Sequence, residues 1–214
     1  MIKAYNAKPW EVQAILDGRK TCTRRICKDA NEYTVPDMDF YNAGKRTYAV
    51  HNFADKEHTE QLSIAERTCP ICPGDILYVR ETWSELSSGY EYKADGENID
   101  HLGNMIKWKP SIHMPKEAAR IWLKVTDVRV ERLQEITPKD AENEGVGNIF
   151  YEDIGYSEKN YGTEVDPEYG IAKEQFAWLW DSTIKKFDLD RYGWDANPWV
   201  WVIEFERCEK PEDI

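Results

Sequence analysis

The sequence predicts an α+β fold: a small β-barrel or strongly curved mixed sheet, flanked by short helices and carrying polar insertions. Three observations support it. Strand-like runs dominate, at 76–79, 119–130 and 199–205. No regular strand–helix–strand alternation separates them, which argues against a doubly wound parallel sheet. A length of 214 residues suits one domain with insertions rather than two full domains. Residues 1–214 are therefore read as a single unit with insertions at about 29–68 and 147–170.

Taken in order, residues 9–17 predict a short helix, with Pro9 in the first turn, Trp10, Ala14 and Ile15 near helical spacing, and Gly18 to end it. The segment Arg19-Lys-Thr-Cys-Thr-Arg-Arg25 follows, densely cationic. Residues 29–68 read as a polar, irregular insertion. Gly74-Asp75 turns the chain into a strand at 76–79 that continues toward Trp83. Weaker strand signals at 90–94 and 105–108 flank an acidic, glycine-containing loop. The run at 119–130 predicts a strand bent near Thr126-Asp127. Thr137-Pro-Lys-Asp140 supplies an N-cap, a first-turn proline and an acidic third position, so a short helix carries Glu144 and stops at Gly145. Residues 147–170 form the second insertion, 174–187 an amphipathic helix, and 199–205 a closing strand whose Trp, Val and Ile content requires burial.

The chain has 28 Lys and Arg against 40 Asp and Glu, a formal charge of −12, which excludes capture of nucleic acid by bulk charge. Five of the 28 cationic residues (Arg19, Lys20, Arg24, Arg25 and Lys28) nevertheless fall within ten positions. The picture is an acidic body around one cationic pocket, poorly suited to a long polyanion. No secretory signal and no apolar run long enough for a membrane span are present, so a cytoplasmic protein with no membrane association is expected, a monomer or a homodimer. Five cysteines do not make a disulfide framework. Cys69-Pro-Ile-Cys72 has the spacing of half a zinc site, with Cys22 and Cys27 as possible partners, but a second CxxC is missing. His58-Thr-Glu60 upstream has part of a zinc-deaminase pattern, yet Thr68 stands where proline is needed and the spacing is too short. Free, partly buried thiols, and no metal or cofactor, are the expectation.

Core packing does not explain Gly18-Arg-Lys-Thr-Cys-Thr-Arg-Arg25; a solvated basic strand is its bland reading. The segment resembles the G-R-K-T-x-T-R signature of the ASCH family of PUA-like barrels. Three later stretches are similar to the larger, phage-type members: Pro73-Gly-Asp-Ile-Leu-Tyr-Val-Arg-Glu-Thr-Trp83, Trp108-Lys-Pro-Ser-Ile-His-Met-Pro115 and Asn197-Pro-Trp-Val-Trp-Val-Ile-Glu-Phe205. The resemblance implies a PUA-like barrel and, because a small member hydrolyses N4-acetylcytidine, an amidohydrolase acting on a linear amide. By motif it places the working residues at Lys20, Thr23 and Glu144, and favours Arg25 over Arg24 as a functional arginine.

That chemistry is coherent on its own account. Deacylating an exocyclic amine needs a nucleophile, a base for the nucleophile's proton and an acid for the departing nitrogen. Thr23 is the candidate nucleophile. Lys20 serves as base if burial and the neighbouring Arg19, Arg24 and Arg25 lower its pKa, and Glu144 assists. Residues three apart on a flat strand face opposite ways, so Lys20 and Thr23 cooperate only if the chain turns between them. Arg80, Glu81, Trp83, Ser111 and His113 are candidate substrate contacts around the cytosine. Two other functions remain open: a non-catalytic RNA or modified-base module, and a ribonuclease using Lys20 and Arg25 on a phosphate.

Overall fold

The computed structural model describes residues 1–31, 36–41, 47–53, 61–68, 70–87, 89–96, 98–100, 102–146 and 171–212. Along these run the strands β1 (Ile2–Asn6), β2 (Cys22–Ile26), β3 (Pro36–Tyr41), β4 (Thr47–Phe53), β5 (Gln61–Thr68), β6 (Ile76–Arg80), β7 (Trp83–Leu86), β8 (Gly89–Tyr92), β9 (Trp122–Arg132) and β10 (Trp199–Cys208). The helices are α1 (Pro9–Leu16), α2 (Lys28–Asn31), α3 (Pro138–Asn143), α4 (Ile171–Thr183) and α5 (Leu189–Tyr192). The architecture is α+β. Its main element is a five-stranded mixed sheet in the order β1-β6-β9-β10-β2, parallel only between β1 and β6.

β10 shows why the closing strand had to be apolar throughout. Trp201, Ile203 and Phe205 point into a core with Val12, Ile15, Leu77, Val79 and Leu123 under α1. Val200 and Val202, on the opposite face, pack with Leu133, Phe176, Leu179 and Trp180 under α3 and α4. A strand covered on both sides loses the polar alternation of a half-exposed one. Each fully buried Val, Leu or Ile contributes about 1.5–3 kcal/mol of transfer free energy. The bend expected near Thr126-Asp127 is a bulge: β10 shifts register between Glu204, opposite Asp127, and Phe205, opposite Val125.

The sheet is strongly curved. Four strand spacings of about 4.8 Å would hold the edges of a flat five-stranded sheet about 19 Å apart. Yet the guanidinium carbon of Arg25, on edge strand β2, lies 5.3 Å from the ring centre of Tyr5, on edge strand β1. The edges therefore face each other through side chains, and among the described residues no ladder joins them. Of the small barrel or strongly curved mixed sheet expected from sequence, the structure shows the curved mixed sheet and no closed barrel, with the side chains of Tyr5 and Arg25 meeting across the gap between the edges.

Three further expectations change. Described parts of 29–68 are not irregular: β3, β4 and β5 pair as a three-stranded antiparallel sheet. Short runs such as Pro36-Asp-Met-Asp-Phe-Tyr41 do alternate, but their acids mask the strand signal. Residues 105–108 do not form a strand; only isolated bridges, Ile99 with Met105 and Trp83 with Lys109, occur there. The helix expected at 174–187 runs instead over Ile171–Thr183. The insertion at 147–170 lies outside the described residues. No helix of the described residues is long and apolar enough to cross a membrane.

Candidate active site

Two helix ends and the start of one strand converge on Lys20. α1 opens with Pro9, and the Glu11 carboxylate accepts the Lys8 N–H at 2.8 Å, so the first turn is capped from within. It closes at Gly18, whose φ of +74° suits glycine. The N–H groups of Arg19 and Lys20 then donate to the Ala14 carbonyl at 2.8 and 2.9 Å. Lys20 thus belongs to the turn, and β2 begins only at Cys22. The alternation of a flat strand does not constrain Lys20 and Thr23, and both line one cavity.

α3 delivers the partner. Thr137 Oγ1 accepts the Asp140 N–H at 3.1 Å while Asp140 Oδ2 accepts the Thr137 N–H at 3.2 Å. The helix ends at Glu144 and reverses at Gly145, φ +92°. A Cβ at Gly145 would sit 2.9 Å from Ala14 Cβ and 3.2 Å from Lys20 Cβ. Only glycine lets the end of α3 press this closely on the end of α1. The Thr21 N–H donates to the Asn143 carbonyl at 2.8 Å, fastening the same junction. Lys20 Nζ consequently donates to the Glu144 carbonyl and to Glu144 Oε2, both at 2.9 Å, and lies 3.7 Å from Glu11 Oε1.

Lys20, Thr23, Arg24 and Glu144 are all buried. Arg24 approaches Glu144 Oε1 at 3.4 Å and Glu131 Oε2 at 3.4 Å. A buried ion set of this kind survives only when each charge is met, because an unpaired one is strongly destabilising. The set also decides protonation. Burial alone would pull the Lys20 pKa down, but Glu144, Tyr5 and Glu11 outweigh it and the net shift is upward. The lowering on which a base role for Lys20 depends is therefore not met. The neighbouring arginines do not crowd Lys20 as bare charges: Arg24 is held by carboxylates, and Arg19 pairs with Asp17 at 2.9 Å. Lys20 is an ammonium at rest. Burial and the nearby Glu144 push the Cys22 thiol up to about 12, so it is no nucleophile at neutral pH.

The cavity measures about 300 Å³. Trp10, Phe176, Leu179 and Trp180 supply an apolar and aromatic wall; Glu11, Lys20, Thr23 and Glu144 supply the polar groups, with the exposed Lys8 and Arg25 alongside. Of the residues expected from sequence, Lys20, Thr23, Glu144, Arg25 and Ser111 line it. The other four do not. Arg80 is clamped beside it by Asn6 Oδ1 and the Ile112 carbonyl, both at 2.9 Å. Glu81 is sealed in the interior and takes two 2.9 Å hydrogen bonds from Arg120, a structural ion pair. Trp83 packs with Met114, Ala118 and Trp122. His113 is exposed on the short turn that carries Ser111.

Sequence reasoning missed Tyr5, Glu11 and the aromatic wall of α4. Glu11 carried a signal, an acid three residues after Lys8, but that signal also describes an ordinary helix cap. Among the described residues no group of three His, Cys, Asp or Glu could hold a metal ion; Cys69 lies outside them, and the buried Cys72 donates its N–H to Asp75 Oδ2 at 3.0 Å. Comparisons with protein-family models, with curated proteins and with solved structures give no match.

Proposed function

We propose that this protein is an amidohydrolase that removes the N4-acyl group from N4-acetylcytidine or a related N4-acylated cytosine nucleoside, and that it is a divergent, larger member of the ASCH family with a PUA-like core. One observation carries the reading. Thr23 and the Lys20–Glu144 pair, the latter two 124 residues apart in sequence, share one cavity with an aromatic wall. A volume of about 300 Å³ suits a single nucleoside. The aromatic side chains offer stacking faces to a pyrimidine ring.

In this reading Thr23 Oγ attacks the acyl carbon. The Lys20 ammonium, oriented by Glu144, gives its proton to N4 as the C–N bond lengthens and that nitrogen gains basicity. The Thr23 ester left behind is cleaved by water, so the overall reaction is amide plus water to cytidine plus carboxylic acid. The raised pKa of Lys20 keeps it an ammonium at rest, so it holds a proton to give and is not the resting base. Hydrolysis followed by ultraviolet absorbance over N4-acylated cytosines, cytidines and a short acetylated RNA tests this. Cytidine release by the purified protein is expected, with Thr23→Ala and Lys20→Ala inactive; normal turnover in either variant would sink the residue assignment. A second reading, a non-catalytic reader of RNA or a modified base, draws on the exposed Lys8 and Arg25 beside the cavity. It predicts salt-dependent RNA retention in a gel shift with no cytidine released.

A further inference from the structure

An N4-acylated cytosine nucleoside has two ends. C4, which bears the acyl amide, and N1, which bears the ribose, lie across the pyrimidine ring from each other. With the amide at the buried Thr23 and Lys20, the ribose points outward, toward the exposed residues at the rim of the cavity.

That rim is cationic, and its charges are not cancelled within the protein. Lys8, Lys20, Arg24 and Arg25 line the cavity. The two buried cations are met by carboxylates: Lys20 by Glu144 at 2.9 Å and Glu11 at 3.7 Å, Arg24 by Glu144 and Glu131, both at 3.4 Å. Lys8 and Arg25 are exposed, and among the described residues neither forms an ion pair. Arg25 is nevertheless placed, its guanidinium carbon 5.3 Å from the ring centre of Tyr5. A third cation stands behind them. Arg80, at the end of β6, is paired in register with Asn6, and its carbonyl accepts the Ala7 N–H at 2.9 Å. Its guanidinium donates to Asn6 Oδ1 and to the Ile112 carbonyl, both at 2.9 Å. These neutral acceptors fix the group and leave its charge uncompensated. Asn6 itself lines the cavity, as does Ser111, the neighbour of Ile112. The β1–α1 connection, β2 and the end of β6 thus bring three uncompensated cations to one concave mouth, in a chain whose net charge is −12. Such a mouth concentrates a small anion, because its low-dielectric walls focus the field.

We propose, resting on the amidohydrolase reading, that the substrate is a phosphorylated N4-acylcytidine, a mononucleotide, whose phosphate is taken by Lys8 and Arg25 with Arg80 adding its charge from behind. The planar fork of Arg25 suits two phosphate oxygens at once, and Lys8 supplies a point charge. Three cations at one mouth match one phosphate. An RNA strand is held by many phosphate contacts, which the overall charge of −12 opposes. The phosphate lies away from the reacting amide, so its contacts are alike in the ground and transition states; they lower KM and leave kcat in place.

The test is steady-state hydrolysis, by the full chain, of N4-acetylcytidine, its 5′- and 3′-monophosphates and a short acetylated RNA. One monophosphate should exceed the nucleoside about tenfold in kcat/KM, through KM, the scale of charge-assisted hydrogen bonds from partly exposed cations. Comparing the two monophosphates tells which hydroxyl carries the phosphate. The preference should shrink between about 0.01 M and 1 M salt, as the Debye length falls from about 30 Å to about 3 Å. In Lys8→Gln and Arg25→Gln the ratio of nucleotide to nucleoside kcat/KM should fall toward one, and in Lys8→Glu below one, a reversal that a merely structural role would not produce. The ratio is taken within each variant, so a general loss of rate does not enter it. If no N4-acylated substrate is cleaved, the amidohydrolase reading fails and takes the phosphate site with it. If the nucleoside is cleaved but both monophosphates stay within about twofold of it, or if the preference survives Lys8→Glu, phosphate recognition alone is overturned. An acetylated RNA cleaved faster than both monophosphates overturns the mononucleotide in favour of RNA. Should Arg25→Gln fail to fold, the Lys8 variants decide the matter, because Lys8 is exposed and its N–H bond to Glu11 does not involve the side chain.

Discussion

Replacing Glu144 with glutamine removes one charge from the most tightly paired group in the cavity. The wild-type carboxylate accepts Lys20 Nζ at 2.9 Å and approaches Arg24 at 3.4 Å, and both cations are buried. Glutamine keeps an acceptor oxygen but leaves the Lys20 ammonium with one carboxylate, Glu11, at 3.7 Å. Breaking a buried pair costs about 3–5 kcal/mol, and the retained hydrogen bonding places this variant near the lower figure, about 3 kcal/mol. For a domain of this size each kcal/mol lowers Tm by about 2–4 °C, so thermal unfolding followed by circular dichroism should show a fall of about 6–12 °C. Lys20→Met/Glu144→Gln removes the stranded ammonium, and its loss should be smaller than the sum of the two single losses by about 0.5–3 kcal/mol. A fall in Tm below about 2 °C, or strict additivity in the double variant, would refute the buried-pair reasoning.

Other consequences are as direct. Gly145→Ala forces a side chain onto a backbone with φ +92° and a Cβ 2.9 Å from Ala14, so a Tm loss together with a collapse of any hydrolytic rate is expected, because the junction that seats Glu144 on Lys20 must open. Arg120→Met strands the interior Glu81 carboxylate and should cost about 3–5 kcal/mol by chemical denaturation, while KM for an active-site ligand stays put because Glu81 lies outside the cavity. Tyr5 and Lys20 both hold their protons more tightly folded than unfolded, starting from ordinary values of 10.0 and 10.5. Their stabilisation is therefore complete below about pH 10 and is lost as pH rises through the folded values, about 12 for Tyr5. Tm should decline steeply above pH 10, and Tyr5→Phe should flatten that decline; an unchanged slope would contradict the buried position of the phenol.

The local signals in the chain were strong where one segment alone decides the outcome. Pro9 and Gly18 bracket α1, Thr137 and Asp140 cap α3, and the apolar run of β10 forecasts a strand covered on both faces. Such features depend on φ preferences, caps and periodicity, which act over a few residues. Lys20, Thr23, Arg25, Ser111 and Glu144 were expected from the resemblance of their segments to a family signature rather than from local structure, and all five line one cavity. Arg80, Glu81, Trp83 and His113 were misplaced for a different reason. A strand end or a short turn offers several directions to a side chain, and the choice is made by partners distant in sequence. Glu81 turns inward because Arg120, 39 residues on, is there to meet it.

What the sequence determined by itself is α1, α3 and β10, with the turns that bound the two helices, and part of the polar lining of the pocket. The charge of −12 with one cationic segment, the turn at Gly18 and the stop at Gly145 are all local facts. Only the tertiary structure decided the electrostatics. The sheet curls until Tyr5 and Arg25 on its opposite edges touch, and Gly145 admits α3 against α1, so that Glu11 and Glu144 close on Lys20 from two helices. A lysine in a run of arginines looks, in one dimension, like a group pressed to give up its proton. In the folded protein the carboxylates of buried Glu144 and half-buried Glu11 help make it keep that proton, because Coulomb energies at a few ångströms in a protein interior follow distance in space and not order along the chain.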